Sequence, residues 1–203
     1  MVSKNIKFCD CVKIKPWIGD NYYSTSKKIL IIGESHYNSK RKIFTEEELY
    51  ELTHWTINEI AHNEWTHRFY TNIASLFKGE KILPSEKLNF WNGVCFYNYI
   101  QSIDIEQPGV APTYEMFSSA INPFLDVVNK CEPNYIIIFS YRTWENLKRD
   151  LKKYFLLNNI ESGCGYKKLK IEDNIYNIIA FPHPSRGFSR EKWNQPLKTF
   201  LNI

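Results

Sequence analysis

The chain has 203 residues, of which 43% are hydrophobic, 24% charged and 16% aromatic, and its formal net charge is +4. This composition excludes an intrinsically disordered chain, and the length suits one domain, residues 1–203, rather than two. The small positive charge is compatible with a polyanionic partner but does not by itself identify one.

The first half of the chain predicts two strands separated by helices. Apolar runs at 28–32 and 93–98 are nearly continuous, as in parallel strands covered on both faces. Thr45 to Glu48 reads as a capping box that opens a helix through Ile60, a second helix is predicted over about 68–77, and Pro84 starts a short third one. Residues 1–27 are interpreted as an N-terminal extension.

The second half continues the alternation. Residues 113–131 predict two consecutive helices, because Asn122 and Pro123 fit an N-cap and a first helical position. A strand at 135–140 leads into a helix at 144–155, and 167–171 with 175–181 predicts a hairpin that feeds the last strand, 176–181. The sequence therefore predicts an α/β fold, a three-layer α/β/α sandwich around a four-stranded, mainly parallel sheet.

Five cysteines, an odd number, stand at positions 9, 11, 95, 131 and 164. This pattern favours reduced thiols in a cytoplasm, and the Cys9–Cys11 pair lacks a second pair at zinc-site spacing. No signal-peptide core is visible, and no apolar stretch approaches the ~20 residues that cross a bilayer. We expect a soluble, cytoplasmic protein with no membrane association and no bound metal.

Three polar clusters follow predicted strands. Gly33-Glu34-Ser35-His36-Tyr37 follows the first strand, Asn98 ends the second, and residues 182–189 follow the fourth. Because functional groups of an open parallel sheet gather beyond the carboxyl ends of its strands, these clusters are expected to converge.

Four motifs occur in order over residues 28–193: the glycine-led polar turn, a "GVxxxN" strand, an "IIIFSYRTW" strand entering a helix, and a terminal "HPS" loop. Together they resemble the uracil-DNA glycosylase superfamily. The resemblance implies a monofunctional DNA N-glycosylase that flips a pyrimidine-type base and hydrolyses its N-glycosidic bond, leaving an abasic site. It also implies DNA as partner, with no cofactor and no obligate protein partner.

The resemblance assigns roles within the base pocket. His183 matches the histidine that donates a hydrogen bond to the pyrimidine O2 as the base leaves, and Asn98 matches the asparagine that reads the base edge. Tyr37 matches a tyrosine that helps to wall the pocket. The other expected substrate-binding residues are Gly33 and Phe96.

The last loop is expected to hold DNA. Ser185 and Ser189 match positions that grip flanking phosphates, and Phe188 is the candidate wedge that fills the space left by the flipped base. Arg186 is expected to assist at the DNA backbone.

The first motif departs from the superfamily. Ser35 stands where well-studied branches have Asp or Asn, and His36 stands where they have Pro or Gly, whereas Glu34 matches branches that have "GE". Our hypothesis is that Glu34 polarises the water or faces the sugar cation, with Ser35 and His36 completing the catalytic group. The altered motif predicts excision of uracil or of a modified base, in DNA repair or in antiviral defence against phage DNA.

Two alternatives stay open. The Gly-Glu-Ser-His quartet also resembles Glu/His hydrolases of the erythromycin-esterase-like type, which need further Glu and His partners at other strand ends. The second alternative is a non-catalytic DNA-binding relative of the superfamily. The remaining histidines, His54, His62 and His67, are expected at surface or packing positions, although His67 and Arg68 are placed to reach the DNA edge of the site.

Overall fold

Six strands form one mixed sheet in the order β1-β3-β2-β4-β6-β5. The computed structural model describes residues 6–38, 42–105, 110–152, 167–171, 173–185 and 187–203. The strands are β1 (Trp17–Ile18), β2 (Ile29–Gly33), β3 (Cys95–Asn98), β4 (Tyr135–Ile138), β5 (Lys167–Ile171) and β6 (Asn174–Ala180). The helices are α1 (Glu46–Ala61), α2 (Arg68–Lys78), α3 (Lys87–Asn92), α4 (Tyr114–Ser119), α5 (Ile121–Cys131), α6 (Tyr141–Asp150) and α7 (Arg190–Leu201), with 3-10 turns at Tyr22–Ser24 and Pro84–Glu86.

The prediction of a four-stranded sheet is wrong in the number of strands. The four predicted strands are present as β2, β3, β4 and β6, adjacent and mutually parallel. Two antiparallel edge strands complete the sheet, β1 beside β3 and β5 beside β6. A strand of two residues is too short to show an alternating pattern in sequence, which is why β1 was missed. The hairpin of β5 and β6 is confirmed.

Helices cover both faces of the sheet. Alternate residues of β2 face opposite ways: Leu30 and Ile32 pack in a cluster with residues of α4, α5 and α6, whereas Ile31 packs in a cluster with α1, α2, α3 and α7. Burial on both faces explains why the central strands are nearly continuous in apolar residues. The α/β class is confirmed.

The helix starts follow local sequence signals. Thr45 accepts a hydrogen bond from the Glu48 amide (3.1 Å) and its own amide donates to the Glu48 carboxylate (2.9 Å), so the predicted capping box is confirmed. The two helices within 113–131 are also confirmed, but the second begins at Ile121, so that Pro123 lies in its first turn, where a missing N–H costs no helical hydrogen bond. Helix α6 starts three residues before the predicted 144, and residues 153–155 lie outside the described residues.

The cysteines differ from expectation in one respect. Cys9 and Cys11 form a disulfide, with Cα atoms 5.2 Å apart, although reduced thiols were predicted. That separation lies within the range for disulfides, and it is reached because the chain turns back between the two residues. Cys95 and Cys131 are free and buried, and Cys164 lies outside the described residues. In the described ranges, no helix has the length and apolarity needed to cross a membrane.

Candidate functional site

A cavity of about 560 Å³ lies at the carboxyl ends of β2, β3 and β6, the edge of the sheet where the sequence predicted a site. Its lining comes from the loops after these strands and from α1 and α2: Glu34, Ser35, His36, Tyr37, Phe44, Leu52, Thr56, Trp65, His67, Arg68, Phe69, Tyr70, Asn98, His183 and Ser185. A more open depression of about 650 Å³ lies near the amino ends of β2, β4 and β6, but none of the predicted site residues lines it. The smaller cavity is therefore the candidate site.

Gly33 and Asn98 are opposite each other at the ends of β2 and β3. A Cβ atom added at Gly33 would lie 2.3 Å from the Asn98 Oδ1, a distance that real Cβ atoms do not show. Only glycine therefore allows this approach. The Asn98 side chain also hydrogen-bonds the Tyr70 hydroxyl, and its backbone oxygen accepts from Gln101 Nε2 (3.0 Å). Asn98 is buried, with 3% of the residue exposed.

Phe69, the second residue of α2, forms an aromatic wall. Its ring centroid lies 4.9 Å from the His183 imidazole and 6.1 Å from the Phe96 ring. His67 caps α2 by accepting a hydrogen bond from the Phe69 amide (3.3 Å), which fixes the direction of the helix start. Phe96 is fully buried beneath this wall, so the structure places it behind the cavity surface rather than on it.

His183 lies in the loop after β6, and three hydrogen bonds stabilise this loop. Asn72 donates to the Pro184 carbonyl (3.2 Å), and the Ser185 and Phe188 amides donate to the carbonyls of His183 (2.8 Å) and Ser185 (3.2 Å). Desolvation by the cavity walls lowers the pKa of His183, against an opposing effect of Glu34. The imidazole is accordingly neutral at physiological pH and offers one N–H donor.

Glu34 is buried, and both oxygens of its carboxylate accept hydrogen bonds. One oxygen accepts from Ser140 Oγ (2.7 Å) and Arg142 Nε (3.0 Å), and the other accepts from Arg142 Nη2. Thr143 Oγ1 lies 3.4 Å from the first oxygen. This geometry is that of a carboxylate that positions an arginine rather than of a free base.

His36 is buried against α1, where its Nε2 lies 2.8 Å from Thr53 Oγ1. Desolvation lowers the pKa of His36 to about 4. The ring is therefore uncharged near neutral pH, and its hydrogen bond ties the loop after β2 to α1. These features favour a structural contribution over the predicted role in proton transfer.

Ser35, Tyr37 and Ser185 all line the cavity. Tyr37 is 37% exposed at its mouth, and burial of the rest of the phenol raises its pKa, so that it stays protonated. The structure therefore brings together eight of the twelve predicted site residues. They are Gly33, Glu34, Ser35, His36, Tyr37, Asn98, His183 and Ser185.

The predicted DNA-contacting residues beyond Ser185 are placed differently. Phe188 is half-buried and packs edge-on against Phe139, with ring centroids 6.5 Å apart, and its role as a wedge stays a prediction. Ser189 is the N-cap of α7 and accepts from the Lys192 amide (3.2 Å). Its hydroxyl is thus used within the protein. Arg186 lies outside the described residues.

The sequence analysis did not identify Phe69, Tyr70, Arg142 or the α1 residues Leu52 and Thr56. Functional groups gather beyond the carboxyl ends of parallel strands, and this rule also predicts Arg142, since it follows β4 in the "IIIFSYRTW" motif. The others lie on helices, and no local motif distinguishes a cavity-lining helical residue from a core one. Among the described residues, no three His, Cys, Asp or Glu side chains group closely enough to hold a metal ion.

No protein-family model and no curated protein matches this chain.

Proposed function

We propose that this protein is a monofunctional DNA N-glycosylase that takes a flipped pyrimidine-type base into the cavity and hydrolyses its N-glycosidic bond, leaving an abasic site. The observation that carries this proposal is the convergence of Asn98 and His183. They come from strands separated by β2 and β4, yet both line one cavity beside the Phe69 ring. The four adjacent parallel strands agree with the uracil-DNA glycosylase-like domain that the motifs suggest.

Cleavage of a glycosidic bond develops positive charge on the sugar and negative charge on the leaving base. A neutral imidazole at position 183 suits the second need, because it donates a hydrogen bond to the pyrimidine O2 as charge builds there. The Asn98 carboxamide offers both a donor and an acceptor to the base edge, and Phe69 offers a ring on which the base stacks. Recognition and leaving-group stabilisation are thus combined at the ends of β3 and β6.

Glu34 has a different role in this proposal from the one its motif predicted. Because its oxygens accept from Arg142 and Ser140, it is not free to deprotonate a water molecule. Its negative charge lies close enough to His183 to affect the pKa of that imidazole. We assign Glu34 as a positioning residue for Arg142, with a secondary electrostatic effect on the sugar cation.

The test is an excision assay on duplexes that carry one uracil, cytosine or modified pyrimidine, with abasic sites scored by alkaline strand cleavage. The wild-type protein is expected to produce abasic sites from at least one of them. His183→Ala and Asn98→Ala are each expected to reduce the rate about 100-fold or more, the size of effect found on removing one transition-state donor. His62→Ala is the matched control, since His62 is exposed and outside the cavity. Absence of abasic product from every base overturns the proposal.

A second candidate, a non-catalytic DNA-binding relative, is favoured by one observation: no described carboxylate lining the cavity has an unbonded oxygen. Glu34→Gln and His183→Ala separate the two candidates. If both variants still bind DNA but no longer excise a base, the result supports the glycosylase. If the unmodified protein binds DNA and excises no base, the result supports the non-catalytic DNA-binding relative.

A Glu/His hydrolase is less well supported. It needs further carboxylate and imidazole partners at other strand ends, and Glu34, which is the carboxylate among the described lining residues, is ion-paired.

A further inference from the structure

The cavity is larger than a pyrimidine base requires. Its volume of about 560 Å³ falls within the range of about 300–1,000 Å³ that holds drug-sized ligands, which have many more atoms than a single pyrimidine ring. A pyrimidine bound in this cavity would therefore leave space for a substituent.

The lining residues divide into two groups by their position across the sheet. His183 follows β6, on one side of β2, whereas α1 packs against β1 and β3, on the other side. Leu52 and Thr56 of α1, with Phe44 from the loop before it, therefore form an end of the cavity remote from His183. We call these three residues the α1 chamber, together with Trp65, which follows α1 and whose ring centroid lies 5.1 Å from the His67 ring and 6.4 Å from the Tyr70 ring.

Pyrimidine geometry connects this chamber to one atom of the base. In the ring, C5 lies directly across from C2. If His183 donates to the oxygen on C2, then C5 and any group attached to it point away from His183. Leu52 and Thr56 of α1 lie across the sheet from His183, so a group on C5 would extend toward them.

The chamber has a mixed chemistry. Trp65 (43% exposed) offers an aromatic face, and Phe44 offers the side of its ring that Lys42 Nζ, 4.6 Å from the centroid, does not cover. The Thr56 hydroxyl donates to the Leu52 carbonyl (2.8 Å) and keeps its lone pairs for a ligand donor. None of these four side chains is charged, and neighbouring His36 is buried and hydrogen-bonded to Thr53. Aromatic faces next to hydroxyl groups suit a neutral, hydroxyl-bearing ring such as a sugar.

We propose that the α1 chamber accepts a neutral, hydroxyl-rich substituent on C5 of the flipped pyrimidine, up to the size of a sugar ring. The substrate class is then DNA whose pyrimidines are glycosylated through a 5-hydroxymethyl group. This inference rests on the proposed glycosylase function and specifies its substrate.

The test compares duplexes that differ only in the sugar: 5-hydroxymethyluracil against its glucosylated form, and 5-hydroxymethylcytosine against its glucosylated form, with uracil as the unsubstituted reference. In at least one pair, the glucosylated base is expected to be excised with at least tenfold higher kcat/KM. Excision of uracil or the hydroxymethyl bases without such a preference overturns this inference alone. No excision of any base overturns both this inference and the proposed function.

Two variants locate the effect. Thr56→Phe fills the chamber and Trp65→Ala removes its aromatic face, and each is expected to lower kcat/KM for the glucosylated base at least tenfold more than kcat/KM for the unsubstituted base, so that the preference is lost. Glu59→Phe is the matched control, since Glu59 is exposed on the same helix outside the cavity. Circular dichroism confirms folding, and Trp65→Ala keeps the test valid if Thr56→Phe does not fold. An unchanged preference in both folded variants contradicts the assignment.

Discussion

Arg142 contacts the buried carboxylate of Glu34 through both Nε and Nη2, and thereby joins the N-terminus of α6 to the loop after β2. Ser140, the N-cap of α6, donates to the same carboxylate and also accepts from the Thr143 amide. The pair therefore fixes the motif after β2 relative to the neighbouring strand β4. Both oxygens of the Glu34 carboxylate therefore accept hydrogen bonds from within the protein.

Removal of Arg142 is expected to destabilise the protein. Breaking a buried ion pair costs about 3–5 kcal/mol, and because water reaches the arginine, which is 44% exposed, we expect Arg142→Ala to lower the free energy of unfolding by about 1–3 kcal/mol. The Glu34→Gln, Arg142→Ala double variant should lose less unfolding free energy than Arg142→Ala, because no unpaired carboxylate remains buried. Urea denaturation measures both.

Lys148→Ala is the control for this pair, since Lys148 lies on the same helix and pairs with the exposed Glu145. Lys148→Ala should lower the free energy of unfolding by less than about 1 kcal/mol. A double variant that is less stable than Arg142→Ala would contradict the described role of the pair.

Gly33→Ala is expected to displace Asn98. The new Cβ atom would overlap the Asn98 Oδ1, so either the carboxamide or β2 must shift, at a cost of about 1–3 kcal/mol in unfolding free energy. If Asn98 reads the base, excision should fall about 100-fold. Gly93→Ala is the matched control, because the nearest atom to its new Cβ, the Phe90 carbonyl oxygen, would lie 3.5 Å away. Full activity in Gly33→Ala would show that the Asn98 position is not critical.

His36 makes stability depend on pH. Its folded-state pKa of about 4 lies below the ordinary value of 6.5, so the unfolded chain binds a proton more readily over that interval. Stability from the neutral imidazole is complete above pH 6.5 and is lost as the pH falls toward 4, by up to about 3 kcal/mol.

The measurement for His36 is the free energy of unfolding at pH 7 and pH 5 in the wild type and in His36→Gln. The pKa values of His54, His67 and His183 are also lowered by burial and act in the same direction, so the difference between the two proteins isolates His36. We expect a clearly smaller loss of stability in the variant. Equal losses would mean that His36 is not held neutral.

Arg68, exposed at the start of α2 and lining the cavity, is expected to contact a DNA phosphate. Arg68→Ala should weaken DNA binding similarly for all sequences and reduce the salt-dependence slope by about one ion. Lys170→Ala is the control: Lys170 pairs with Ile175 near the start of β6, at the other end of that strand from His183. Fluorescence anisotropy at several salt concentrations tests this, and an unchanged slope in Arg68→Ala would exclude the contact.

The sequence was informative where a chemical rule links residue type to position. Apolar runs identified β2, β3, β4 and β6, and the strand-end rule brought Gly33, Asn98 and His183 to one edge. The same rule would have included Arg142. By contrast, the bonded state of Glu34 depends on a partner 108 residues away, which no local pattern encodes.

Residues with two compatible uses were the hardest to assign. In sequence, Phe188 fits either a DNA wedge or a core position, and the structure packs its half-buried ring against Phe139. Phe69 and Phe96 are both aromatic residues of regular elements, yet the lining of the cavity includes Phe69 while Phe96 is buried behind it. Only the relative placement of α2 and β3 distinguishes them.

The most direct test of the central claim is a crystal structure of the His183→Ala variant bound to a duplex with one mispaired pyrimidine, since a mispair lowers the cost of flipping. The account predicts that this base leaves the helix stack, lies on the Phe69 ring and places its edge within hydrogen-bonding distance of Asn98. A complex in which every base stays stacked and the DNA contacts another face of the protein would contradict it.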